Sequence, residues 1–191
     1  MMRRFGILLC LCCVCGSVFA QRGKVRRDPL TEKEVEQMRE FRDMPDKRVK
    51  VLNEIIRKRA ELLASWEKDV KAVAPAERGT RTHDLLEDIV NLLDEFGDNV
   101  DTFLKEQADV RKPLHESLVV FTSMQKQLSD IKTAEADKPW FRDFSFPLED
   151  AIEAVDRGIK DTNDAIQEDE RIVLAKKEQD KQRSRGSGTI R

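Results

Sequence analysis

The chain has 191 residues, with 35 Lys and Arg against 37 Asp and Glu, four cysteines and no tyrosine. A formal net charge of −2 leaves no basic footprint, which speaks against general nucleic-acid binding. Few aromatics, few glycines and high charge of both signs argue against a β-sandwich or an α/β enzyme and for solvated helix faces.

The first twenty residues have the three parts of a secretory signal peptide. Arg3 and Arg4 form the charged start, Phe5 to Val14 the apolar run, and Gly16 to Ala20 the small-residue cleavage region. Val18 and Ala20 occupy the −3 and −1 positions, so cleavage is predicted before Gln21. The run is too short to span a bilayer. The expected mature chain is exported, periplasmic or secreted, and runs from Gln21 to Arg191. All four cysteines lie in the leader, so the mature chain has no disulfide and no cysteine metal ligand. A lipid-attachment cysteine usually follows a small residue, whereas Cys15 follows Val14. Lipid anchoring is therefore the minority alternative to plain cleavage. Removing Arg3 and Arg4 leaves 33 basic residues against 37 acidic, a net charge near −4.

Residues 21–30 form a basic arm with Arg22, Lys24, Arg26 and Arg27, without apolar period and predicted to be mobile. Thr31 and Glu34 then have the spacing of a capping box, with Leu30 and Val35 at the staple positions. They open a short helix that Pro45 breaks or kinks. A second helix is expected over about 46–74, with Leu52, Ile56, Ala60, Leu63 and Trp66 on one face, ended by Pro75 and Gly79. A third should start near Thr82 or Asp84 and carry Leu85, Ile89, Leu92, Phe96, Val100 and Phe103 inward. Gly97 lies inside this period and weakens the helix without interrupting it.

Residues 107–112 read as a connection, with Pro113 opening a fourth helix whose stripe is Leu114, Leu118, Phe121, Met124, Leu128 and Ile131. A loop over 134–145 follows. The fifth helix is predicted from about Pro147 past Lys177. Its seam is a coiled-coil-like heptad through Leu148, Ile152, Val155, Ile159 and Ile166, with Thr162 and Asp169 as polar lapses. Residues 31–178 are thus expected to form an all-α domain, an antiparallel bundle of four long amphipathic helices plus one short N-terminal helix. Residues 179–191 read as a disordered basic tail.

Neither His83 nor His115 has the Glu three residues before it that a di-iron bundle requires. His83 and Glu87 share a helix face, a weak metal hint that capping and exposure explain better. The acidic run Asp94, Glu95, Asp98, Asn99 and Asp101 lacks the order of a calcium loop and reads as a solvated helix face. No nucleophile elbow, Ser-x-x-Lys pair or phosphate-cradling glycine loop occurs. The reading is therefore no enzyme, no cofactor and no metal.

Lys138 to Pro147 gathers Trp140, Phe141, Phe144 and Phe146 in one loop. The rings either close the open end of the bundle or anchor a partner or membrane surface. Closure is the favoured reading, because so apolar a loop is costly to leave in water. The four rings are nonetheless the candidate contact residues. The basic ends could touch an anionic envelope surface, or serve only as solubilising tails. The function these features imply is an exported, non-enzymatic protein that acts through protein or envelope-surface contacts. The alternative is a bundle holding a small ligand or metal between its helices, for which inward Thr162 and Asp169 are the only support on the last seam.

Overall fold

A computed structural model describes residues 27–68 and 73–186; the predicted leader, its predicted cleavage site and most of the basic arm lie outside the described residues. The described chain is all-helical, as its periodicity demands. The elements are α1 (Glu32–Glu40), α2 (Pro45–Lys68), α3 (Pro75–Lys105), α4 (Arg111–Glu135), a 3-10 turn (Phe141–Asp143) and α5 (Ser145–Gly186).

Local chemistry sets the helix ends. At α1 the capping box is complete: the Glu34 amide donates to the Thr31 hydroxyl at 3.3 Å, and the Thr31 amide donates to the Glu34 carboxylate at 2.9 Å. Pro45 does not kink α1 but opens α2, where its missing N–H has no helical partner to lose. Pro75 does the same for α3. This corrects the expectation that Pro75 and Gly79 end a helix and that the next starts near Thr82 or Asp84. Gly79 is a site of close approach instead. A Cβ there would meet the Asp143 carboxylate at 2.6 Å, so the glycine lets the 3-10 turn lie against α3. α3 stops at a left-handed Gln107 (φ 57°), with the Ala108 amide reaching back to the Phe103 carbonyl at 2.9 Å in a Schellman closure. The connection that follows is shorter than expected, because Arg111 and Lys112 already belong to α4.

α2, α3, α5 and α4 form a ring around the core: α3 and α4 each pack against both α2 and α5. Consecutive helices reverse direction, yet α3 and α4 sit diagonally, joined across the core by Phe96 and Phe121 edge to face at 5.0 Å. The lateral neighbours α3 and α5 therefore run parallel. Gly79 lies beside Asp143 at one end, and the Gln107 carbonyl accepts from Lys176 at the other. α4 and α5 run antiparallel, tied by Gln125 to Asp156 at 2.6 Å and Arg111 to Asp169 at 3.1 Å. Leu52, Ile56, Leu86, Ile89, Leu114 and Leu148 fill the core. On α5 the seam is buried at Leu148, Val155, Thr162, Ile166 and Asp169, with Ile152 and Ile159 half-buried. α5 remains helical to Gly186, beyond residue 178, where the sequence places the end of the bundle.

The last residues of the arm are tied to the bundle. Arg27 pairs with Asp88 at 2.6 Å, and Arg59 donates to the Pro29 carbonyl at 2.9 Å while pairing with Glu34 at 2.7 Å. Burial disfavours the charge on Glu34, but Arg59 and the Thr31 hydrogen bonds outweigh it and hold its carboxyl below the usual range. At Asp88 burial dominates and the carboxyl sits above that range, although Arg27 opposes the shift.

A candidate docking groove between α3 and α5

The aromatic loop is placed by the 3-10 turn, and its four rings divide. Phe144 is 1 % exposed and meets Phe141 edge to face at 5.4 Å. Trp140 and Phe141 are half-buried and lie on the core. Trp140 Nε1 donates to Glu135, and its ring sits 5.4 Å from the buried Arg78 guanidinium. Arg78 in turn donates to the Trp66 carbonyl at 2.8 Å and faces Glu135 at 3.6 Å. Three rings thus close this end of the bundle, while Phe146 stands 82 % exposed.

The histidines do not converge. His83 lies 3.7 Å from Asp84 and 3.8 Å from Glu87 at the start of α3, and Arg27 also reaches Asp84 at 3.7 Å. His115 is exposed on α4. Of the polar lapses on the α5 seam, the Thr162 hydroxyl donates to the Gly158 carbonyl at 2.6 Å, whereas Asp169 faces Arg111 of α4 at 3.1 Å and its buried Oδ2 accepts no hydrogen bond.

A large concavity lies elsewhere. α3 and α5 run side by side and leave between them an open groove of about 920 Å³. Its existence follows from side-chain size. α5 contributes Ala154, Gly158 and Ala165 to the groove, and α3 contributes Gly97. Leu93, Phe96 and Val100 are the large apolar groups at its base. The rim is acidic. Asp94, Asp98 and Asp101 come from α3; Asp161, Asp164 and Glu168 come from α5; Arg157 and Arg171 are the basic residues in the lining. On the α5 side Lys160 neutralises Asp164 at 2.7 Å, and Arg171 pairs with Glu168 at 3.2 Å. On the α3 side Asp94, Asp98 and Asp101 form no ion pair among the described residues. The groove therefore presents its uncompensated negative charge along α3.

Gly97 has no internal explanation. Its φ is not positive, and a Cβ built on it meets nothing within 4 Å. A glycine inside a helix costs about 0.8–1.0 kcal/mol relative to alanine. Among the described residues neither the backbone nor the packing gains from it. Gly158 differs, since its Cβ would rest in ordinary contact with Leu93 and Phe121 at 3.5 Å. The lining holds carboxylates, arginines, Thr162 and Gln167, with no histidine, cysteine or serine.

Sequence reasoning reads the acidic run around Asp98 as a solvated face and does not find the groove. The signal present was the glycine within that run, together with small residues at 154, 158 and 165. Pairing the two requires knowing that α3 and α5 are neighbours. Comparison with protein-family models, with curated proteins and with solved structures finds no match to this chain, so no relative's activity bears on the groove. Among the described residues no helix is long and apolar enough to cross a membrane.

Proposed function

We propose that the protein is an exported, non-enzymatic interaction module whose docking surface is the α3–α5 groove, and that it takes a helix with a small-residue face and Lys or Arg flanks. Export rests on the tripartite N-terminus. The docking reading rests on Gly97: a residue that weakens α3 and meets no packing partner among the described residues has its use in the close approach of another backbone. Charge fixes the chemistry of the occupant, because the free carboxylates of Asp94, Asp98 and Asp101 line one wall. The helix-in-groove mode needs an apolar floor and flanking polar anchors, and this groove has both.

The test uses a synthetic, fluorescently labelled helix with alanine on one face and lysine on its flanks. Fluorescence anisotropy should show binding that weakens with salt, as expected for partly exposed charge pairs. Gly97→Trp fills the groove from α3 without touching the core, so it should weaken binding by roughly tenfold or more while circular dichroism shows an unchanged helix content. Equal binding by the variant and the native chain would defeat the proposal.

A further inference from the structure

The occupant of the groove can be sought within the chain itself. α5 has 42 residues, so it is about 63 Å long at 1.5 Å per residue. Arg111, the first residue of α4, is already level with Asp169, and Lys176 reaches the Gln107 carbonyl just beyond the end of α3. Past Lys176 the helix runs on for ten residues to Gly186, an overhang of about 15 Å. A short helix of polar composition is marginal in water without tertiary contacts. Leu174, 61 % exposed, and Ala175 lie just before the overhang, which carries Lys177, Lys181 and Arg183 against Glu178 and Asp180. Its basic excess complements the acidic rim. Ala175 lies seven residues after Glu168 and four after Arg171, so it continues the rim line of α5 and leaves a small side chain just past the groove.

We infer that the α5 overhang of a second copy of this chain occupies the groove, a step that rests on the docking reading above. Two α5 helices meet antiparallel about a two-fold axis near Arg171, so each copy gives one tail and one groove and the assembly closes as a dimer. In that register Lys177 of one chain lies level with Asp164 of the other, and Arg183 lies level with Gly158, where Asp94 and Asp98 form the opposite wall. An outside helix that adds a small-residue face to the same basic charge then binds by displacing the tail, so self-association holds the groove shut until a better ligand arrives.

Sedimentation equilibrium of the mature chain tests the inference. Expected is a monomer–dimer equilibrium that weakens with salt. The double variant Lys176→Glu/Lys177→Glu should raise the dimer dissociation constant by roughly tenfold, and so should Asp98→Lys/Asp101→Lys on the groove wall. All four side chains are exposed or half-buried, so the fold is kept, and combining the two pairs should restore the dimer. A chain that stays monomeric at every concentration, or a dimer indifferent to both swaps, overturns the inference. The labelled helix separates the two failures. If it still binds a monomeric chain and Gly97→Trp still blocks it, self-association is wrong and the groove reading stands; if it does not bind, both fall.

Discussion

Truncating Phe144 gives the sharpest stability test of how the aromatic loop is built. The ring is 1 % exposed and held edge to face by Phe141, and Gly79 lets the turn that carries it lie close to α3. A buried aromatic removes about 200 Å² from water at about 25 cal/mol per Å², a ceiling near 5 kcal/mol of which alanine keeps a part. The cavity left behind adds to the loss, and large-to-small aromatic changes in cores cost about 3–5 kcal/mol. Phe144→Ala should therefore lower stability by about 3–4 kcal/mol, or Tm by about 7–14 °C for a domain of this size. Phe146→Ala, at 82 % exposure, should change it by under about 0.5 kcal/mol. Urea unfolding followed by circular dichroism measures both. Similar effects at the two positions, or a loss at Phe144 below about 1 kcal/mol, would refute the closure of the bundle by this loop.

Further outcomes follow from single residues. Gly97→Ala should raise stability by about 0.5–1 kcal/mol in the same assay, because the new methyl enters open space and the helix gains propensity. Asp169→Leu should be neutral or stabilising by about 1–3 kcal/mol, since it places an apolar group on the heptad seam and leaves Arg111 free to reach solvent. Burial holds the Asp169 carboxyl above its usual range, with Arg111 opposing the shift. The folded state thus takes up this proton more readily than the unfolded chain, and the contribution of Asp169 to stability falls as pH rises from the ordinary Asp range through the raised value. Relative to wild type, Asp169→Asn should accordingly look better at neutral pH than in acid; the opposite trend would show that Arg111 governs the site. Mass spectrometry of the exported species should find an N-terminus at Gln21, and a lipid-modified Cys15 would overturn the cleavage site.

Much of this architecture is legible in the sequence because it depends on near neighbours in the chain. The Thr31–Glu34 box, the apolar steps of α2 and α4, and the heptad through Leu148 and Val155 each announce a helix within a few turns. Pro75 and Gly79 mislead because a breaker residue acts only in context. Proline is harmless in the first turn of a helix, and Gly79 answers to Asp143, sixty-four positions away. The end of α5 misleads for another reason: its Glu, Lys, Gln and Arg look like a solvated tail, yet these are good helix formers that extend a helix already nucleated. The groove is the least legible feature. Each of its walls reads as an ordinary amphipathic helix, and only the parallel placement of α3 beside α5 turns Gly97 and the small residues of α5 into one concave surface.

The most direct measurement of the docking account is an amide-resolved nuclear magnetic resonance titration of the mature chain with the lysine-flanked helix. Shifts should concentrate on residues 93–104 of α3 and 154–171 of α5, and Gly97→Trp should abolish them. Shifts centred on Trp140 to Phe146, or no saturable shifts at all, would contradict it.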